Sequence, residues 1–477
     1  MTMFGSPWFG SAGAAFTIDQ SCRFDSASSS YFSTTYGSAG NRRIGTVSCW
    51  FKRASIGTQQ CLFNPHNSDA DQDQVLQFNS SGSASVTDSL SIWWDGANYG
   101  DLSTTQAFTD TGDWNHLVAT WDTTQATAAD RNKIYFNGTE ITSLVSWSGG
   151  AASYPTQNRE FWFNGAYTHA IGRRTAYSGQ HYFDGYLAEV ISVDGTAYAP
   201  SQFGETVDSV WVPKNFSGSY GTNGFYLDFA DSADLGADQS GNSNDFTSSG
   251  LVAADQVLDS PMNNFAVWNP SDASGTTLTY SEGNLKAMRA GAYGAQAYSS
   301  MSFDSGKWYA EVIFGAGSPP NSDAGMIAGE TNPGSDRYLG QDSYTYAIWP
   351  ADGRKINNGS WTTYDAGVSI TKANDGSGDV LGIYIDADNG DLYFSVNGAI
   401  CNSGTAAFTG VTGPFRFAVY SEYSSFLIVN FGQDDTFTGL KTSGSAAASD
   451  DDGYGKFYDT IALAGYLAPC SKNGGTV

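Results

Sequence analysis

Two stretches, KIYFNGTEI at residues 133–141 and LYFSVNGAI at residues 392–400, each set an Asn-Gly pair between runs of aromatic and branched residues. Asn-Gly readily reaches the positive φ that a two-residue hairpin turn demands, and the flanking side chains suit a pleated surface, so each stretch predicts a β-hairpin. The same grammar fills the chain. In TVSCWFKR, Val47, Cys49 and Phe51 alternate with Thr46, Ser48, Trp50 and Lys52; in GKWYAEVIF, Trp308, Ala310, Val312 and Phe314 alternate with Tyr309, Glu311 and Ile313. A period of two is the period of a strand. No window longer than a few residues keeps a helical period, and LKAMRAGAYGAQA is interrupted by its own glycines. The expectation is an all-β protein.

At 477 residues the chain exceeds what one core serves, and it fits two domains of roughly 150 to 200 residues each. Aromatic-rich strands punctuated by tight turns, at this domain size, predict two jelly-roll antiparallel β-sandwiches. The 22 Lys and Arg against 48 Asp and Glu leave a net charge of −26. Phosphate binding needs clustered cations, so nucleic acid and anionic membrane are excluded as expected partners. Cys22, Cys49, Cys61, Cys401 and Cys470 form neither a CxxC nor a disulfide framework. A Cys49–Cys61 bridge is conceivable, with buried thiols as the alternative. The four histidines, His66, His116, His169 and His181, show no helical ligand spacing and are expected to be structural. The opening MTMFGSPWFGSAGAAF has no basic stretch before an apolar run, and no segment approaches the ~20 apolar residues of a membrane span. The chain is therefore expected to be made in a cytoplasm, to stay soluble, and not to insert into membrane.

DWNHLVATWD, KIYFNGTEI, HAIGRR and YFDGYLAEVISVDGTA, in that order, make residues 16–205 similar to the laminin-G-like branch of the concanavalin A-like lectin/glucanase fold. GKWYAEV, DVLGIYIDADNGDLYFSVNG and FAVYSEYSSFLIVNFG make residues 269–435 similar to a SPRY domain. Between them, residues 206–268 read as a structured connector, with LDFAD as a possible added strand. Residues 201–270, from SQFGETVDSVWVPKNF to DSPMNNFAVWNP, together with NFGQDDTFTGLKTSG and GYLAPCSKN, resemble segments of large virion proteins of tailed bacteriophages. Residues 436–477 form a Gly/Ser/Asp-rich C-terminal extension. The resemblance implies a non-enzymatic virion structural protein: a tail or head fibre or adhesin component at the virion surface, displaying lectin-like domains for attachment to a host-surface glycan. It also implies a homo-oligomer, since fibres are commonly trimers. The alternatives are a glycan-degrading enzyme of the same fold and a cellular lectin-like binding protein.

Candidate sites follow from residue chemistry. Residues 1–15 carry Phe4, Trp8 and Phe9 with nothing nearby in sequence to bury them, so they either tuck onto the first domain or anchor the chain by docking into other virion proteins. In WWDGANYGD, Trp93 and Trp94 on a strand must face opposite ways. One is core and the other is available as a sugar platform, with Asp95, Asn98 and Tyr99 as polar neighbours. Tyr344, Tyr346, Trp361 and Tyr364 are a second aromatic group, and core packing is the competing reading of both groups. Asp69, Asp71 and Asp73 alternate in HNSDADQDQ and offer hard oxygen ligands, which makes calcium a possible cofactor; a solvated acidic loop is the alternative. Asp386, Asp388 and Asp391 read as a plain hairpin, and the Asp450–Asp452 run reads as solvated. Glycosidases need two carboxylates held a short distance apart. Glu189 and Glu311 each stand alone, no GxSxG elbow exists, and no catalytic residue is assigned.

Overall fold

The computed structural model describes residues 16–66, 73–79, 86–95, 99–175, 181–272, 278–289, 294–316, 322–329, 338–421, 425–444 and 447–474. Among these residues there is no α-helix; strands and short 3-10 turns account for all regular structure. Among the described residues every ladder between two strands is antiparallel, with one isolated parallel bridge between Trp308 and Leu467. Among the described residues no helix is long and apolar enough to cross a membrane. The chain divides into two units at Met262 and Asn263.

The first unit is a sandwich of two eight-stranded sheets. One is built around Ile44–Arg53, flanked by Asn115–Asp122 and Gly185–Asp194. The other runs, in spatial order, Leu144–Val145, Gly100–Ala107, Ser89–Trp94, Gln74–Phe78, Gln60–His66, Thr168–Ile171, Tyr31–Thr35 and Thr247–Ser249. The alternation seen in sequence places Val47, Cys49 and Phe51 of the first sheet against Leu76, Ile92 and Trp94 of the second, in one buried cluster. The hairpin turn falls where Asn-Gly was placed, with φ of 45° at Asn137 and 78° at Gly138.

The outward face of the first sheet is also covered. His116 is stacked on Trp50 at 4.6 Å. Its Nδ1 accepts from Trp211 Nε1 at 2.9 Å, and burial pushes its pKa down to about 3. This histidine is a neutral packing group that pins the Gly204–Val207 and Val210–Pro213 hairpin.

Residues 206–262, set apart in the sequence as a connector, contribute strands to this unit. Phe225–Leu227 pairs with Gly185–Asp194, Thr247–Ser249 with Tyr31–Thr35, and Gln256–Val257 with Ser21–Phe24. Buried ion pairs fasten the last of these, Arg23 to Asp255 at 3.1 Å and Lys52 to Asp259 at 2.8 Å. A local sequence pattern cannot disclose such pairings, because their partners lie more than 200 residues away.

The second unit pairs a seven-stranded sheet centred on Lys307–Phe314 with a six-stranded sheet centred on Ser322–Ala328. Val312 and Ile383 of one sheet meet Met326, Ile348 and Phe417 of the other in its core. The C-terminal extension packs on this unit. Glu311, wholly buried, accepts the Tyr458 and Asp459 backbone N–H groups, each at 2.8 Å, and Asn430 Nδ2 at 3.1 Å. Asp450, expected to be solvated, is instead buried. Its carboxylate accepts from the N–H groups of Tyr454, Gly455 and Ala468 and from Asn473 Nδ2. Charge composition suggested a loose acidic loop, but four donors converging on one carboxylate make it the organiser of the segment. All five cysteines are buried free thiols, so Cys49 and Cys61 are not bridged.

Candidate functional site

The two tryptophans of Ser89–Trp94 separate as strand geometry demands. Trp94 is fully buried, 5.4 Å from the Phe161 ring. It lies across Gly100, where a Cβ would sit 2.5 Å from its ring; a glycine is required there for the indole to fit. Trp93 faces outward and is half-buried, with Val75 and Asp101 beside it in the register of its two neighbouring strands. Tyr99 is 51% exposed and meets Trp93 edge-on at 5.9 Å and 80°. Arg174 lies 4.3 Å from the Trp93 ring centre. A guanidinium over an indole orients it and contributes about 0.5–2 kcal/mol.

Arg174 is itself held by Asp73, Nε to Oδ2 at 2.8 Å. The other Asp73 oxygen accepts from Asn64 Nδ2. Of the three aspartates weighed for calcium, Asp73 is the one among the described residues, and its buried carboxylate is engaged by a guanidinium and an amide. Asp69 and Asp71 lie outside the described residues. Among the described residues, no group of three or more His, Cys, Asp or Glu side chains could hold a metal.

Asp95 is half-buried beside this group; its N–H donates to Asp73 O at 3.0 Å and its carbonyl accepts Arg159 Nη2 at 2.6 Å. Asn98 lies outside the described residues, as do Phe4, Trp8 and Phe9.

Two residues that the sequence did not single out complete the site. Asp101, only 3% exposed, accepts the Trp147 backbone N–H, and burial raises its pKa. Trp147 is 41% exposed. Val145 pairs with Ser103, so the chain carries Trp147 up to Asp101. The result is an aromatic bracket: the Trp93–Tyr99 pair and the exposed Trp147, whose backbone N–H is fastened to the Asp101 carboxylate at the register position beside Trp93. Burial, with Asp101 and Asp95 adding, raises the Tyr99 pKa, so its phenol stays protonated as a hydrogen-bond donor. The signal for Trp147 in sequence was only a lone tryptophan in VSWSGG, indistinguishable from core.

The second aromatic group does not assemble. Tyr364 is buried, its hydroxyl donating to Thr405 O at 2.8 Å, and Tyr346 packs on the same main core. Tyr344 and Trp361 pack on a different cluster, on the other face of the sheet. Trp361 meets Trp349 at 5.4 Å and Arg354 at 4.8 Å.

The two lone glutamates are each engaged locally. Glu189 sits at φ 50° in an irregular stretch of its strand between Ala188 and Ile191. Both of its oxygens lie 2.8 Å from the Tyr226 hydroxyl. Burial pushes the pKa of Glu189, and likewise of Glu311, up to about 8.

Comparison with known proteins places two domains on this chain. Residues 26–196 match the family model described as the concanavalin A-like lectin/glucanases superfamily, and residues 307–434 match the SPRY domain. The chain thus carries a concanavalin A-like domain followed by a SPRY domain, both β-sandwich folds. No curated protein matches it. Among solved structures, the SPRY domain of human HERC1 is 14% identical, with 34% of this chain and 96% of that one covered and a TM-score of 0.27. A Bacteroides ovatus protein titled "putative carbohydrate binding protein" is 16% identical, with 49% of this chain and 58% of that one covered and a TM-score of 0.34. The TRIM65 PSpry domain is 13% identical, with 35% and 89% covered and a TM-score of 0.27.

Proposed function

We propose that this chain is a non-enzymatic binding protein of a phage particle that presents its first sandwich to a glycan on the host surface. The observation that carries the reading is the exposed aromatic group of Trp93, Tyr99 and Trp147, with Asp101 fastening the Trp147 backbone beside the Trp93–Tyr99 pair. Aromatic rings offer a flat apolar surface to the C–H face of a sugar, and neighbouring polar groups fix its hydroxyls. Arg174 is neutralised by Asp73, and Arg159 lies against Asp95, so the polar groups beside the rings carry both signs and suit sugar hydroxyls. The phage assignment is supported by the resemblance of residues 201–270 to virion proteins. In that setting residues 1–15 anchor the chain to other virion proteins and the chain assembles as a homo-oligomer, a trimer by analogy with fibres.

Binding of the intact protein to immobilised host polysaccharides tests the reading. Tyr99→Ala and Trp147→Ala are expected each to weaken retention about tenfold, the equivalent of the ~1.4 kcal/mol of an aromatic contact. Retention unchanged in both variants would refute the bracket as the contact. Deleting residues 1–14 is expected to abolish incorporation into particles, and normal incorporation would remove the anchoring role.

A further inference from the structure

On the other sheet of the same sandwich, two loops from residues 198–244 build a second recess. Phe216 stacks on Phe203 at 4.9 Å, Tyr220 meets Phe216 at 5.0 Å, and Tyr226 lies parallel to Tyr220 at 6.2 Å and 7°. The loop bearing Tyr220 is tied to the loop at 238–244 by amide side chains. Asn242 Nδ2 donates to Gly221 O at 2.7 Å and Gly224 O at 2.9 Å, and Asn244 Nδ2 donates to Thr222 O at 3.0 Å and Gly224 O at 2.8 Å. Asp238 secures the second loop, accepting from Tyr226 N, Ser240 N and Oγ, and Asn244 N, all at 2.8–2.9 Å. Between the loops lies an open cleft of about 710 Å³ lined by Gly218, Ser219, Tyr220, Thr222, Ser240 and Asn242.

Three properties of this cleft converge. It is broad and open to solvent, so a single sugar ring can lie across it without an entry path. Its walls are tied by the bonds above, so little ordering remains to oppose binding. Its lining residues are themselves uncharged, with the Asp238 carboxylate behind Ser240 and, together with Glu189, within electrostatic reach of Tyr220. What the lining offers is one aromatic ring, hydroxyls and an amide. With both Asn242 bonds made through Nδ2, its Oδ1 is an acceptor for a ligand. Ser219 Oγ accepts Gly221 N at 3.3 Å, and its own O–H is a donor. A ring with mixed donors and acceptors matches a polyhydroxy ring, and Asp238 behind the lining disfavours an acidic one.

We infer that this cleft is a second sugar subsite, taking an uncharged pyranose against Tyr220 and independent of the Trp93 bracket. Two contacts on opposite sheets of one sandwich would let the protein cross-link or grip a branched glycan, raising avidity without any new interface.

The test uses the full chain and methyl pyranosides of glucose, galactose, mannose and N-acetylglucosamine, each followed by saturation-transfer NMR at millimolar concentration. In a Trp93→Ala background, transfer to at least one pyranoside is expected to persist. It should weaken about tenfold on adding Tyr220→Ala and survive Tyr220→Phe, which keeps the ring face. Thr222→Trp, at an exposed position that leaves the aromatic stack intact, should block the same signal and guards against misreading an unfolded Tyr220→Ala variant. No transfer in the Trp93→Ala background, or transfer that survives both Tyr220→Ala and Thr222→Trp, overturns the subsite. If the Trp93 bracket is not a sugar site, wild type and Trp93→Ala behave alike while dependence on Tyr220 remains, so the two failures are distinguishable.

Discussion

Replacing Asp259 by alanine removes a carboxylate from beside an ammonium that solvent does not reach. Lys52 and Asp259 are both 0% exposed, their charges 2.8 Å apart, and the second Asp259 oxygen accepts Trp114 Nε1 at 2.8 Å. An intact buried pair contributes little net stability, because the attraction mostly offsets the desolvation of both ions. Removing one member is different: the remaining charge keeps its desolvation penalty without its compensation, at a cost of about 3–5 kcal/mol. The loss falls on the first unit, which spans residues 13–262. At about 2–4 °C per kcal/mol for a unit of that size, its melting transition should fall by about 6–20 °C. Differential scanning calorimetry of the full chain separates the units, and only the transition of the first should move. The double variant Lys52→Met with Asp259→Leu removes both charges and should recover most or all of the loss. A drop below about 1 kcal/mol for Asp259→Ala, or a double variant no better than the single, would show that the pair behaves as a solvated surface contact and would refute the reasoning.

Glu311 is raised from its ordinary 4.5 to about 8 by burial. Ionisation is therefore harder in the folded state: the stabilisation is complete below pH 4.5, is lost as pH rises through about 8, and is flat beyond. The second unit should melt at progressively lower temperature across that window, and Glu311→Gln should flatten the slope, which a pH series of melting curves reads directly. Glu189 predicts the same behaviour for the first unit, with Glu189→Gln as its control. Tyr99→Ala and Trp147→Ala, at exposed positions, should change stability by no more than about 0.5 kcal/mol while weakening glycan retention; a large stability loss in denaturant titration would recast the bracket as core. Chelation with EGTA should leave the first unit's melting temperature unchanged, because Asp73 is engaged by Arg174 and Asn64. A fall reversed by added calcium would contradict that.

Strands and turns were legible in the sequence because their causes are local. Side chains alternate across a strand whatever it pairs with, and Asn397-Gly398, at φ 49° and 75°, turns the chain because those two residues tolerate it. The all-β class followed from that, and so did the separation of Trp93 from Trp94; the order of the two sandwiches came from the resemblance of their motifs.

Pairing across the sheets was not legible, and the candidate site depends on it. Which tryptophan faces outward was decided by the buried cluster that Trp94 joins, and Trp147 reached Asp101 only through the register of Leu144–Val145 on Gly100–Ala107. Residues 206–268 read as a structured connector with an added strand at LDFAD, and the strands within 206–262 complete sheets begun 200 residues earlier. The fate of each acidic residue was likewise a tertiary matter. Asp73, Asp259 and Asp450 resemble any surface aspartate in sequence, and only the donors the fold brings to them make them buried anchors. Backbone preference acts over a few residues and can be read from them. The partner of a charge, or of an exposed ring, is set by which distant strands come together, and the folded chain alone decides that.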